Sequence, residues 1–92
     1  MAKVVVTLKI MPTSPEVNLD DLNVKINEKI DAFAGECEKK LTIEPIAFGL
    51  KALIIMFVMD EAKGSTEFLE TELDAFEKIN SVEVTDVRRA IG

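Results

Sequence analysis

Residues 48–59 read FGLKALIIMFVM, an almost unbroken apolar run that stops at Asp60. Leu50, Ala52, Ile54, Met56 and Val58 alternate with Leu53, Ile55 and Phe57, so an extended chain over Phe48–Met59 is apolar on both faces. That pattern belongs to a strand in the middle of a sheet. The run also falls well short of the roughly 18 apolar residues a membrane-spanning helix needs.

Upstream of this strand, Glu36 to Ile43 carries Glu36, Glu38, Lys39 and Lys40 with few apolar side chains, so a strand there is an exposed or edge one. Further back, Leu19, Leu22, Ile26, Ile30 and Phe33 recur at spacings of three and four, opposite Asp21, Lys25 and Glu28, which predicts an amphipathic helix. Asn18 is placed to cap it, Asp20 and Asp21 suit the positive end of its dipole, and Gly35 can end it in the left-handed conformation. Before the helix, Pro12 and Pro15 interrupt a stretch from Lys3 to Met11 in which Val4, Val6, Leu8 and Ile10 share one face. This is a second strongly apolar strand.

Downstream, Asp60 to Gly64 reads as a polar turn. Ser65 or Thr66 then caps a second helix with Leu69, Leu73 and Phe76 inward, flanked by Phe68 and Ile79 and closed by Asn80 and Ser81. Val82 to Val87 is a short last strand whose alternation slips near Asp86, at a bulge or at the strand end. Strand, helix, strand, strand, helix, strand in one small domain predicts an α+β, ferredoxin-like βαββαβ sandwich: a four-stranded antiparallel sheet with both helices on one face. The apolar first and third strands take the centre, and the charged second and short fourth take the edges.

Charge and composition narrow the function. Ninety-two residues allow one domain, 1–92, and 17 acidic against 11 basic residues leave a net charge of −6. Such a field repels phosphate backbones, and the aromatic residues that stack bases on a sheet of this class are missing. Direct nucleic-acid binding is therefore not expected. One cysteine, Cys37, and no histidine exclude an intramolecular disulfide, a multi-Cys or Cys-His zinc site and the His-dependent catalytic triads. No metal site, no cofactor, no enzymatic activity and no membrane contact are expected, and the cysteine usage fits the reduced cytoplasm. Lys63, Gly64, Ser65 and Thr66 hold too little glycine for a phosphate cradle and read as a capped helix start.

Two features are left. Glu44, Pro45, Ile46, Ala47, Phe48 and Gly49 lead into the central strand, with Pro45 setting the approach and Gly49 leaving the backbone bare; this is either a strand start with a core phenylalanine or a contact surface. Arg88 and Arg89 end an otherwise acidic half of the chain, and either pair with Asp60, Glu61 or Asp86 at the surface or meet a partner.

The opening segment from Val4-Val5-Val6 to Met11-Pro12, the EPIAFGLKAL segment from Glu44 to Leu53 and the closing VEVTDVRRAIG from Val82 to Gly92 resemble the archaeal elongation factor 1-beta family. These are stand-alone equivalents of the C-terminal exchange domain of the eukaryotic beta subunit. The similarity spans essentially the whole chain, and the middle and closing segments are the specific ones, because strand alternation does not demand Pro-Ile-Ala-Phe-Gly or Thr-Asp-Val-Arg-Arg. It implies a guanine-nucleotide exchange factor that replaces GDP by GTP on elongation factor 1-alpha, the GTPase that brings aminoacyl-tRNA to the ribosome.

The same resemblance implies that the domain grips the nucleotide domain and the second domain of that GTPase, with the Phe48-Gly49 segment against the second domain. The eukaryotic domains end in a lysine that reaches the magnesium site. Here Thr85-Asp86-Val87 is followed by Arg88, Arg89, Ala90, Ile91 and Gly92, so Arg88 or Arg89 is the candidate for that cationic role. Pro45, Phe48, Gly49, Asp86, Arg88 and Arg89 are thus the expected partner-binding residues of a chain that is a monomer when free. The competing expectation is a small regulatory ligand-binding domain of the same fold that dimerises through its sheet. Val5, Leu53, Ile55 and Phe57 are the candidates for the open sheet face, as a partner surface, a homodimer contact or a face covered by a terminus.

Overall fold

The computed structural model describes residues 3–35, 38–64 and 66–90. Its elements are β1 (Lys3–Pro12), α1 (Leu19–Ala34), β2 (Lys39–Pro45), β3 (Lys51–Asp60), α2 (Glu67–Asp74) and β4 (Ile79–Ala90). One antiparallel sheet holds the strands in the order β2-β3-β1-β4. The sandwich is the ferredoxin-like one, with β1 and β3 central and β2 and β4 at the edges.

Pairing between β1 and β3 decides which side of β3 is the core. Val6 lies opposite Phe57, Leu8 opposite Ile55 and Ile10 opposite Leu53. Together with Met59 these side chains form one buried layer under Leu22, Ile26 and Ile30 of α1 and Leu69 and Leu73 of α2. Leu53, Ile55 and Phe57 therefore face the helices, contrary to their expected place on the open face. That face carries Val5, Ile54, Met56 and Val58 instead, since they alternate with the core set. The β3 sequence could not distinguish its two apolar sides; its β1 partners do.

Helix α1 begins where its capping group sits: the Asp21 N–H donates to Asn18 Oδ1 at 3.1 Å, with Asp20 and Asp21 in the first turn. It ends at Gly35, whose N–H donates to the Asp31 carbonyl at 2.8 Å. Gly35 has φ +80° and ψ 175°, an extended conformation open to glycine alone, rather than the left-handed helical one expected. Asn23 Oδ1, on the same helix, is buried with no hydrogen-bond partner among the described residues. Asn23→Leu should therefore raise stability by about 1 kcal/mol, because it removes a buried, unsatisfied polar atom. Denaturant titration checks this, and a destabilised variant would show that the amide has a role.

The remaining differences from expectation lie where the patterning is weak or ambiguous. Strand β2 runs over Lys39–Pro45 rather than 36–43; it is exposed along nearly its whole length, so no buried alternation marked its register, and Glu36 and Cys37 lie outside the described residues. Helix α2 stops at Asp74, and Phe76 sits half-buried in the turn that follows. Ile79, Asn80 and Ser81 belong to β4 rather than to the helix or its close, because Ile79 meets the core from either a helix or a strand. Phe68 is 65% exposed and does not flank the core.

Ser65 lies outside the described residues, and the Thr66 hydroxyl donates to Glu70 Oε2 instead of capping a backbone amide. Strand β4 is 12 residues long rather than short. The slip in its alternation is real: pairing moves from Leu8–Val84 to Thr7–Asp86, leaving Thr85 as the extra residue of a bulge.

Candidate functional site: the two ends of the sheet

The β2–β3 connection is a hairpin closed by two backbone hydrogen bonds, from the Ile46 N–H to the Leu50 carbonyl (2.7 Å) and from the Leu50 N–H to the Ala47 carbonyl (3.3 Å). Between them, Ala47–Gly49 makes a single 3-10 turn. Phe48 is therefore neither a strand residue nor a core residue. It has φ +63° and ψ +30° and is 95% exposed.

A phenylalanine in the left-handed region costs on the order of 1–2 kcal/mol, and a fully exposed ring recovers none of it by burial. Gly49 follows at φ +77°, which lets the chain turn back without further strain. Pro45 is the last, exposed residue of β2 and pairs with Lys51. The EPIAFG segment thus builds a rigid tip that projects an aromatic ring into solvent.

At the opposite end, the Thr85 bulge sets the direction of every later side chain of β4. Val82 and Val84 pack on the core, opposite Ile10 and Leu8. Past the bulge, Asp86 and Arg88 lie opposite Thr7 and Val5 on the open face, and Arg89 lies opposite Val4 on the helix side. Both arginines have carboxylate partners. Arg88 Nε stands 2.7 Å from Asp86 Oδ2, and Arg89 Nη2 donates to Glu61 Oε1 at 2.7 Å.

Glu61 belongs to the turn Glu61–Lys63, where Asp60 accepts the Ala62 N–H at 2.9 Å. The hydrogen bond and the charge of Glu61 hold the Arg89 guanidinium above its usual pKa, so it stays cationic. Both pairs are open to water, hence weak and screened by salt, and a competing anion can take either guanidinium.

The two ends are far apart. Arg88 is level with Val5 and hence with Val58, and Phe48 precedes Val58 by ten residues, about 30 Å at about 3.3 Å per residue. The long axis of the molecule is 42 Å. The six residues singled out from sequence accordingly fall into two clusters: Pro45, Phe48 and Gly49 at the hairpin tip, and Asp86, Arg88 and Arg89 at the far end of β4.

Sequence reasoning did not single out Pro15 or Lys51 near the tip. Pro15 lies beside Gly49, and Lys51 opens β3. Pro15 is legible only as a strand breaker, and Lys51 carries no signal of its own in its local pattern.

Among the described residues no three His, Cys, Asp or Glu side chains converge on a metal-holding cluster, and no helix is long and apolar enough to cross a membrane. An open-faced sandwich with an aromatic knob at one end and charged side chains at the other is a domain suited to docking against a larger protein. Residues 5–90 match the family described as EF-1 guanine nucleotide exchange domain.

Along nearly its full length the chain is also similar to archaeal proteins named elongation factor 1-beta. It is 47% identical to those of Methanothermobacter thermautotrophicus and Methanosphaera stadtmanae, over 97% of this chain and 98% of each relative. It is 41% identical to that of Methanocaldococcus jannaschii, over 98% of this chain and all of the relative. The chain belongs to the EF-1 guanine nucleotide exchange domain family, and its role is guanine-nucleotide exchange in translation elongation.

Proposed function

We propose that this chain, acting as a single domain and a monomer when free, binds the GTPase elongation factor 1-alpha in the cytoplasm and drives replacement of its GDP by GTP. The observation that carries the reading is Phe48, held rigid and 95% exposed at one end of the sheet, with the Asp86, Arg88 and Arg89 cluster about 30 Å away at the other. A span of that length lets one small domain touch two domains of a partner. Phe48 and Gly49, approached through Pro45, sit against the GTPase's second domain; the arginine end faces the magnesium and phosphate side of its nucleotide site.

No covalent bond changes in this step. A factor that binds the nucleotide-free GTPase more tightly than the GDP form must weaken GDP binding by the same ratio, and abundant GTP then refills the site. Arg88 and Arg89 contribute as cations that compete with magnesium for oxygen ligands once they exchange Asp86 and Glu61 for the partner's groups.

Release of a fluorescent GDP analogue from purified elongation factor 1-alpha, in excess unlabelled GTP, tests the proposal. The chain should accelerate release at substoichiometric concentration. No acceleration by a folded sample with a competent partner would reject it, and the dimerising ligand-binding reading would take its place, with Val5, Ile54, Met56 and Val58 as the contact face. Arg88→Ala combined with Arg89→Ala should lower the release rate at saturating factor more than it raises the half-maximal concentration. An unchanged maximal rate would remove both arginines from the mechanism.

A further inference from the structure

Beside the Phe48 tip, on the helix side of the sheet, lies a cleft of about 280 Å³ lined by Pro12, Ser14, Pro15, Val17, Leu19, Gly49 and Lys51. We propose that this cleft is a socket for an acidic side chain of the GTPase, so that the hairpin end docks through a knob, Phe48, and an adjacent hole. The inference rests on the exchange reading above and adds to it the chemistry of a second contact.

Three observations support it. The volume lies just under the roughly 300–1,000 Å³ typical of small-molecule sites, a size that suits one long side chain. The walls are ordered: the Thr13 N–H donates to the Lys78 carbonyl (2.9 Å), the Val17 N–H to the Ser14 carbonyl (3.3 Å) and the Glu16 N–H to Ser14 Oγ (3.1 Å). A β-carbon built on Gly49 would stand 3.9 Å from Pro15 Cβ, in ordinary contact, so Gly49 leaves the mouth open without a gap behind it.

Lys51 gives the socket its sign. It is the one charged residue lining the cleft, it is exposed, and it has no ion-pair partner among the described residues. Lys29, Lys39, Arg88 and Arg89 pair with carboxylates; among the described residues Lys51 is one of several lysines that do not, and the one that lines this cleft. An unpaired cation in a cleft whose surface is more polar than apolar, in a chain of net charge −6, complements a carboxylate. Phe48 and Lys51 are three residues apart and fixed by the same hairpin, so one segment of the partner can meet both.

Lys51→Glu and Lys51→Met, each checked for an unchanged thermal midpoint, test this in the GDP-release assay with purified elongation factor 1-alpha. Lys51→Glu should raise the half-maximal factor concentration about tenfold and leave the maximal release rate intact. Lys51→Met should fall between and should flatten the salt dependence of the half-maximal concentration. Wild-type values for Lys51→Glu, at low and high salt, would overturn the socket while leaving the exchange function standing. Failure of the wild-type chain to accelerate release would overturn both. A doubled mass in sedimentation that Lys51→Glu abolishes would assign the cleft to a second copy of this chain and overturn the proposal.

Discussion

Phe48→Ala is expected to weaken binding to elongation factor 1-alpha by about 2 kcal/mol, roughly thirtyfold in Kd, while the chain stays as stable as before. The two halves of this expectation have one cause. A ring that is 95% exposed makes almost no contact within its own chain, so its removal takes nothing from the core. What is lost is a large apolar anchor held ready by a hairpin that docking need not reorganise. Phe48→Gly separates the anchor from its presentation: it should bind as poorly as alanine yet gain about 1 kcal/mol of stability, since glycine adopts φ +63° without the steric penalty. Titrating each variant against the GTPase and unfolding each in denaturant provides the check. A folded Phe48→Ala protein with wild-type affinity would remove the tip from the interface.

Phe57→Ala should do the opposite. This ring is fully buried in the centre of β3, opposite Val6, in the layer between the sheet and both helices. Truncating a buried phenylalanine costs about 3–5 kcal/mol through lost transfer energy and the cavity left behind. A domain of this size holds only about 5–14 kcal/mol in all. At about 4–8 °C per kcal/mol, the melting midpoint should fall by at least about 12 °C. Calorimetry measures it directly, and a fall of only a few degrees would contradict the core described here. The same substitution at two phenylalanines nine residues apart thus separates binding from folding.

These two residues also show how far the sequence could be read. Strong periodicity located β1, α1 and β3, and Asn18 marked the helix start to the residue, because capping and core alternation are local events with local signals. The inward side of β3 was not legible, since Leu53, Ile55 and Phe57 look no more apolar than Ile54, Met56 and Val58; the choice is made across the sheet by the partners on β1. Nor was the turn at Phe48, where Ala-Phe-Gly-Leu extends an apolar run and nothing in the residue types announces a positive φ on an aromatic.

Strand β2 could be expected only approximately, because an exposed edge has no buried face to set its phase. At the far end, the pairing of Arg88 and Arg89 with nearby carboxylates was an open alternative in sequence, and both were found paired. The partner-facing role proposed for them rests on the family resemblance rather than on any local pattern. Pro15 and Lys51 became visible only when the chain brought the first loop beside the second hairpin.

The extra residue at Thr85 inverts parity along a single strand. Just before it, even-numbered Val82 and Val84 look toward the helices; after it, even-numbered Asp86 and Arg88 look away, and odd-numbered Val87 and Arg89 take the inner side. Neighbouring strand positions face opposite sides in any register, so the bulge decides which guanidinium group looks toward the helices, and each stands beside its own carboxylate. A partner gripping this edge would meet positive charge above and below the same strand, as a clamp with two jaws, and deleting one residue from that edge would exchange the jaws.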